Sequence, residues 1–371
     1  MTEGLTSGNG DPVRFAVVGC GVIGRVHARA IRRAPDAELA AVADCVESAA
    51  KEVAREYGGL PVSGIEEVLE RDDVDAVAIC TPSGEHAAPA VQALRAGKHV
   101  VVEKPVDVSV AAAEALHAAV VESGRTATVI SQHRFDPASI AVHEAVRDGR
   151  FGRLTSGVAS IAWWRSESYY ASGDWRGTWA LDGGGALMNQ GIHTIDLLVW
   201  MFGRPVEVSA YAGCLAHDGI DVEDTAVALM RFENGALGAV HGTTAAYPGL
   251  SARIQVHGSR GSAIIDDDQL VFFHAARDGV IDATAPAYGA GLASNQAATI
   301  PSGDRSCGDG GAGANPSRLS DAHDLQYADF LRAVRTGREP KVTVASATTT
   351  LRVILAIYQS ATEGRPVKVR L

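Results

Sequence analysis

The sequence predicts an α/β protein of two domains: an N-terminal Rossmann-type, doubly wound parallel sheet over residues 13–133, and an α+β domain over residues 134–371 built on a large, mainly antiparallel open sheet. Three observations carry this reading. The 371 residues exceed what one hydrophobic core comfortably holds. From Arg14 to Ile130 short apolar runs alternate with helical patterns, the mark of successive βαβ units. After about Ser131 the rhythm changes, and strands follow one another with little helix between them.

In the first domain the strands fall at Arg14–Gly19, Glu38–Asp44, near Pro61–Val62, and at Val74–Cys80, His99–Glu103 and Thr126–Ile130. Runs such as VDAVAIC and HVVVE are continuously apolar, which implies burial on both faces. Helices at Val22–Arg33, Val46–Tyr57, Ile65–Glu70, Glu85–Ala96 and Val108–Ser123 carry Ala, Glu and Arg at helical spacing and cover the sheet. The second domain opens with a helix, Pro137–Arg150, a strand, Leu154–Trp164, and a helix, Ala186–Phe202. Strands then follow at Val206–Cys214, Thr225–Phe232, Ala236–Thr244, Ala252–His257, Ser262–Ile265 and Leu270–His274, with turn signals at Glu233-Asn234-Gly235 and Gly258–Gly261. The exposed face of such a sheet needs cover, and pairing with a second subunit, as a homodimer or homotetramer, is expected. Residues 283–317, rich in Gly, Ala, Ser and Pro, read as a mobile loop. Helices at Asp321–Thr336 and Val344–Glu363, which have the option of packing back on the first domain, and a short strand at Val367–Leu371 complete the chain.

A net charge of −11 leaves no basic footprint for nucleic acid or anionic lipid. No apolar run is long enough to span a membrane, and residues 1–12 form a polar, glycine-rich tail without the core of a signal peptide. Five widely spaced cysteines with no C-x-x-C pair suit a reducing cytoplasm, and Cys20, Cys45 and Cys80 read as small buried hydrophobes. The histidines form no H-E-x-x-H or other close ligand pair, so a metal hydrolase is disfavoured and no metal is expected.

The first strand runs into Gly19-Cys20-Gly21-Val22-Ile23-Gly24, a G-x-G-x-x-G at a strand-to-helix turn. The first glycine permits the turn, the second lets backbone approach a pyrophosphate, and the third lets helix pack on strand. The helix N-terminus then offers free N–H groups and the positive end of its dipole. Asp44 ends the second strand, where a carboxylate accepts both ribose hydroxyls. A carboxylate also repels a 2′-phosphate, and Cys45 and Val46 follow it rather than arginines, so NAD is favoured over NADP. Thr81 and Pro82 end the fourth strand at its carboxyl edge, as a simple turn or as cofactor contacts.

GCGVIG, CTPSGEH, Glu103-Lys104-Pro105 and GGGALMNQGIHTIDLL together resemble the glucose-fructose oxidoreductase/inositol dehydrogenase (Gfo/Idh/MocA) family over nearly the whole chain. The resemblance implies a Rossmann domain, a C-terminal domain whose open sheet serves oligomerisation, and hydride exchange with a carbon of a sugar or cyclitol. It adds His86, Glu103 and Lys104 to the cofactor-side candidates, and a Lys-Pro bond that is often cis in the family. The YY…WRGTW…GGG…NQ…H…D run is similar to the nucleotide-sugar 3-dehydrogenase and 3-ketoreductase branch.

Lys104 also stands out by itself, because the chain holds only five lysines and this one lies at the carboxyl edge of the predicted sheet. An amine, unlike a guanidinium, is tunable toward proton sharing near neutral pH. Glu103, by strand alternation, points the other way. On the predicted Ala186–Phe202 helix, Asn189, His193, Asp196 and Trp200 share one face. His193 is suited to take a hydroxyl proton, with Lys104 as its acid/base partner, and Asp196 either orients the ring or forms a structural ion pair. Many relatives carry Asp where this chain has Asn189, which binds a hydroxyl but accepts no proton. Tyr169, Trp175 and Arg176 are read as substrate contacts or as aromatic packing, since aromatic faces stack on sugars and arginine forks onto carboxylate or phosphate. Gln132 and Arg134 resemble cleft-lining positions, with a hinge ion pair as the alternative. His323 reads as an interfacial polar residue.

The leading expectation is an NAD(P)-dependent dehydrogenase or reductase acting on a secondary alcohol or ketone of a sugar, nucleotide sugar or cyclitol. A redox-assisted glycosidase or lyase with transient NAD use, and a non-catalytic dinucleotide sensor, are the alternatives. A sensor would be expected to lose Lys104 or His193, and both are present.

Overall fold

The computed structural model describes residues 11–276, 287, 289, 291–301 and 319–370. The predicted tail thus lies outside the described residues except for its last two, and so do Cys307 and most of the predicted 283–317 loop, of which residues 291–294 and 297–299 form short 3₁₀ turns. Two compact units result, one of residues 1–130 and 317–348, the other of residues 131–316 and 349–371.

The first unit carries β1 (Val13–Val18), β2 (Ala37–Ala43), β3 (Leu60–Val62), β4 (Ala76–Ile79), β5 (His99–Val102) and β6 (Ala127–Val129). They form one sheet in the order β3-β2-β1-β4-β5-β6, parallel at every pairing. The chain leaves β1 toward one edge and returns through β4 on the other side, so a switch point opens at the carboxyl ends of β1 and β4, where ligands bind in doubly wound sheets. Helices α1 (Val22–Arg33), α2 (Glu47–Tyr57), α3 (Ile65–Leu69), α4 (Ala87–Arg95) and α5 (Val110–Ser123) cover it.

The two C-terminal helices are placed differently. Helix α9, resolved further along the chain at Leu319–Thr336, belongs to this first unit. Its Tyr327 and Phe330 pack on Phe15 of β1 at ring-centroid distances of 5.6 and 5.9 Å, and all three are fully buried. Aromatic burial of this size is the reason a C-terminal helix completes an N-terminal core.

The second unit contains α6 (Pro137–Arg147), β7 (Leu154–Ala162), the short α7 (Glu167–Tyr170) and α8 (Ile192–Phe202). It continues through β8 (Pro205–Gly213), β9 (Thr225–Phe232), β10 (Leu237–Thr243), β11 (Ala252–Gly258), β12 (Gly261–Asp266) and β13 (Gln269–Ala275) to most of α10 (Val344–Glu363) and β14 (Val367–Lys368). The eight strands lie in the order β13-β12-β11-β7-β10-β9-β8-β14, antiparallel except for β7 and β10. Alternation on β9 is strict: Ala226, Ala228, Met230 and Phe232 are buried, while Val227 and Leu229 are exposed on the other face.

Two expectations change here. The predicted strand to Trp164 ends at Ala162, after which Trp164 makes only an isolated bridge to Ala245. The predicted helix Ala186–Phe202 is in two parts, a π-helical turn at Ala186–Gly191 and then α8.

Candidate active site

Gly19 has φ +97°, and a Cβ there would lie 2.4 Å from the carbonyl oxygen of Cys80 at the end of β4. A Cβ on Gly24 would lie 1.9 Å from the carbonyl oxygen of Gly19. Both therefore serve to close the turn. Gly21 differs, because a Cβ there would meet nothing within 4 Å. The turn is thus shut below and open above. Gly21 is also the N-cap of α1, where no side chain caps the helix and no acidic residue sits in the first turn, leaving its N–H groups and positive dipole end for an anion. Asp44 is held just beyond β2: its Oδ2 accepts from the Cys20 backbone N at 2.7 Å and its Oδ1 from the Val46 N at 2.8 Å. An open backbone cradle at a helix start with an anchored carboxylate beside it fits a dinucleotide, with Gly19, Cys20, Gly21, Val22, Ile23 and Gly24 around the pyrophosphate and Asp44 at the ribose.

Cys20 and Cys80 are buried, as expected, and burial pushes the Cys20 thiol up to about 12. Cys45 is exposed, because it follows Asp44 off the end of β2 instead of pointing into the sheet.

Lys104 follows β5 directly, is half-buried, and is joined to Pro105 by a cis peptide. The groups around its backbone are more deeply buried than the sequence suggests. Glu103 is 3% exposed and His86 is 1% exposed. The Glu103 Oε2 accepts from the Lys104 backbone N at 3.0 Å, while Oε1 lies 2.9 Å from the His27 Nε2 and 3.5 Å from the His323 Nε2. His27 is bonded through its Nδ1 to the Tyr327 hydroxyl at 2.7 Å. Burial alone would raise the Glu103 carboxyl, but the bonds from His27 and His323 hold it well below the ordinary range. Burial keeps His27 below its usual pKa, hence neutral, with Tyr327 donating to Nδ1 and Nε2–H donating to Glu103. His323 is thus a buried partner of Glu103 rather than an interfacial residue. His86 spans two carbonyls, Pro105 at 2.6 Å and Thr81 at 2.8 Å, and so ties the end of β4 to the Lys104-Pro105 turn. The Thr81 hydroxyl donates to the Glu85 carbonyl at 2.8 Å, and Pro82 caps the short turn between them.

In the second unit, His193 sits in the first turn of α8 and lines a cavity of about 30 Å³ with His133, Trp163, Thr194, Asp267 and Asp268. Its ring meets His133 edge-on at 5.2 Å, and the Gln132 Nε2 approaches its Nε2 at 3.5 Å. Gln132 is buried, and its Oε1 has no hydrogen-bond partner among the described residues. Asp196 forms a bidentate pair with Arg134, both bonds at 2.6 Å, and accepts from the Thr350 hydroxyl at 2.8 Å; Trp200 lies beneath the same guanidinium at 5.6 Å. The Asn189 Nδ2 donates to the Asp182 Oδ1 at 2.5 Å. Arg134 is thus a buried counter-ion of Asp196.

The predicted aromatic and arginine cluster does assemble. The Arg176 guanidinium lies over Tyr169 and over Trp175, each at 4.4 Å, and donates to the Tyr169 hydroxyl at 2.7 Å. Arg165 lies over Tyr169 at 5.4 Å and over Trp163 at 5.1 Å, with two bonds to the Gln190 Oε1 at 3.0 and 2.7 Å. Burial draws the Arg165 guanidinium below its usual range, and Arg176 makes no ion pair among the described residues. Trp163, over which Arg165 lies, also lines the His193 cavity.

Three contributors escape sequence reasoning. Gln190 bridges Arg165 and the Tyr169 hydroxyl, and only its place beside Asn189 hints at this. Glu223 accepts from the backbone N of Gly185 and of Leu187 and from the Tyr358 hydroxyl, fixing the entry to the π turn from a distant loop. His133, Asp136 and Asp268 form a cluster whose one sequence signal is Asp267-Asp268 between two alternating strands.

Comparison with known proteins agrees with this geometry. Residues 13–131 match the oxidoreductase family with an NAD-binding Rossmann fold, and residues 140–264 match the GFO/IDH/MocA C-terminal domain. The chain is 32% identical over 269 residues to inositol 2-dehydrogenase of Rhizobium meliloti, covering 71% of this chain and 78% of that one. It is 28% identical to scyllo-inositol 2-dehydrogenase (NAD(+)) of Bacillus subtilis over 96% of each. The WlbA dehydrogenase of Bordetella pertussis, solved with NADH and UDP-GlcNAcA, superposes with a TM-score of 0.83 at 29% identity, over 97% of this chain and 99% of that one. No helix among the described residues is long and apolar enough to cross a membrane. With its glycine turn, its Lys104-Pro105 turn and its π-to-α helix carrying His193, the chain belongs to the Gfo/Idh/MocA family of NAD-binding oxidoreductases.

Proposed function

We propose that this enzyme interconverts a secondary alcohol and a ketone on an anionic sugar, a nucleotide sugar or sugar acid, using NAD in preference to NADP. The observation that supports the substrate class is the pair Arg165 and Arg176, both stacked on Tyr169, two guanidinium groups concentrated in a protein of net charge −11. Guanidinium forks match carboxylate and phosphate, and the faces of Trp163 and Trp175 suit a sugar or base ring. A carboxylate or phosphate on the substrate complements these guanidinium groups, which a neutral cyclitol does not.

Bound NAD supplies the hydride acceptor or donor. The chain's own work is proton transfer and orientation. In the oxidative direction the His193 imidazole takes the hydroxyl proton, and Lys104 is its acid/base partner at the developing carbonyl oxygen. Asn189 and Gln132 offer amide groups to neighbouring hydroxyls. The carboxylate of Asp44, anchored by Cys20 and Val46, favours a free 2′-hydroxyl over a 2′-phosphate.

The described cysteines are all free thiols, in keeping with a cytoplasmic enzyme. The outer face of the second unit's sheet bares Tyr211, Val227, Leu229 and Leu237 on three adjacent strands, and a second copy of the chain, in a homodimer or homotetramer, is the cover we assign to it.

The test is a panel of nucleotide sugars, sugar acids and neutral cyclitols with NAD and NADP, followed at the reduced-nicotinamide band. Lys104→Ala and His193→Ala should each lose turnover by about two orders of magnitude or more. Arg176→Ala should raise KM for anionic substrates and leave neutral ones alone. Full turnover in both single variants would refute the assigned roles, and product formed with no net NADH would point instead to redox-assisted cleavage.

A further inference from the structure

The hairpin joining β12 and β13 turns on two residues, Asp267 and Asp268, with φ of 44° and 66°. They are the only non-glycine residues at positive φ among the described residues. A two-residue hairpin of this hand favours Asn-Gly, because a Cβ and a second carboxylate both resist it. Such conformations persist where the surroundings enforce them, and they concentrate at functional sites.

The surroundings here are specific. The Asp268 Oδ1 lies 3.0 Å from the His133 Nδ1, and the Asp136 Oδ2 lies 2.7 Å from the same nitrogen. One ring N–H is thus shared between two carboxylates on separate elements. Asp267 is tied to the backbone, its Oδ1 accepting from the Ala252 N at 3.1 Å, and it faces the same cavity. On the far side of His133 stands the ring of His193. The charged or titratable groups facing His133 are therefore Asp136 from its own turn, Asp267 and Asp268 from the hairpin, and His193 from α8. Burial disfavours a charge on His133, but Asp268 and Asp136 outweigh it and hold the ring protonated well above the usual histidine range.

We propose that Asp268 is a positioning residue for proton transfer: with Asp136 it clamps His133, and the clamped ring fixes the imidazole of His193 edge-on for the substrate hydroxyl. The strained hairpin is kept because Asn-Gly at the tip would release the clamp. The inference rests on His193 being the proton acceptor, and it adds three residues that the glycine motif, the lysine turn and the helix motif do not reach. The small cavity between these groups has room for a single water and two to four polar partners to hold it.

The test compares Asp268→Gly, Asp268→Asn and His193→Asn in the full-length enzyme. Glycine relieves the left-handed turn and removes the clamp, so kcat should fall about tenfold or more, as expected for a misplaced catalytic group. The NADH Kd and substrate KM should stay within about twofold, and Tm should hold or rise. Asparagine keeps an acceptor oxygen and tolerates the turn, so it should restore most of kcat. If Asp268→Gly retains full kcat while His193→Asn is inactive, the clamp is refuted and the role of His193 stands. If His193→Asn is itself active, both fail. Loss of kcat in proportion to a fall in Tm would make the hairpin merely structural, and activity removed by a chelator and restored by Zn²⁺ would make the cluster a metal site; either overturns the proposal.

Discussion

Gly21 and Gly24 belong to one motif but should fail in different ways when each is changed to alanine. At Gly24 the new Cβ would stand 1.9 Å from the Gly19 carbonyl oxygen and 3.6 Å from the Val17 Cγ1. The closest atom is backbone in a turn that also abuts Cys80, so strand and helix must part, at the roughly 1–3 kcal/mol typical of overpacking. At Gly21 the φ is −69°, ordinary for alanine, and no atom lies within 4 Å of the Cβ. Alanine is a poorer N-cap than glycine by about 0.5–1 kcal/mol, but it also restricts the unfolded chain by about 0.4–1 kcal/mol, so the two nearly cancel. Gly21→Ala should therefore keep its Tm while losing NADH affinity about tenfold or more, equivalent to about 1.4 kcal/mol. Gly24→Ala should lose both. Titration of NADH fluorescence, paired with calorimetric melting, separates them. An unchanged NADH Kd in Gly21→Ala would refute the assignment of the open space above that residue to the pyrophosphate.

Other consequences follow from the buried groups. Asp196→Ala strands the Arg134 guanidinium, which is 7% exposed, and should cost about 3–5 kcal/mol, seen as a Tm lower by roughly 10 °C. Stability should also decline in acid, with two groups of the same sign. His27 has a depressed folded pKa, so its contribution is present above the unfolded value of about 6.5 and fades as pH falls below it; Glu103, also depressed, adds a loss beginning below about pH 4.3. Denaturant melts at pH 7.5, 6 and 5 check the first, and His27→Gln should flatten that slope. Leu229→Glu on the exposed sheet face should shift the mass seen by light scattering to that of a single chain without altering the secondary-structure spectrum.

The first unit was legible nearly residue by residue, because a parallel sheet buried on both faces writes itself as uninterrupted apolar runs and its turns as glycine motifs. Val344–Glu363 and Thr225–Phe232 likewise match their expected bounds, since period-2 and period-3.6 patterns are local facts. What the pattern left open was long-range. Leu319–Thr336 follows the second unit's strands in sequence, and nothing in its own periodicity says that Tyr327 and Phe330 complete the core around Phe15. The π turn is invisible for a similar reason: it is held open from outside, by the Glu223 carboxylate on the N–H groups of Gly185 and Leu187.

The site shows the same division between residue type and partner. Sequence pattern placed Lys104 after β5 and His193 on a helix, and it drew Tyr169, Trp175 and Arg176 into one cluster, because each is marked by a local oddity: a rare lysine, a polar face, a density of rings. The partners of Asp196, Glu103 and His86 were not legible: Asp196 is doubly bonded to a buried guanidinium, and Glu103 holds the peptide of the lysine turn. The converse omission is more instructive. His133 lies one residue from both Gln132 and Arg134, which the family pattern brought forward, yet it draws no notice until Asp268 arrives from a hairpin 135 positions later along the chain. The positive φ at Asp267-Asp268 emerges only in the structure, where two aspartates occupy a tight hairpin of the kind that favours asparagine and glycine. A local rule broken at the tip of a well-formed hairpin is thus the strongest pointer to function that the second unit's sheet contains, and it points at the same imidazole as the helix motif does.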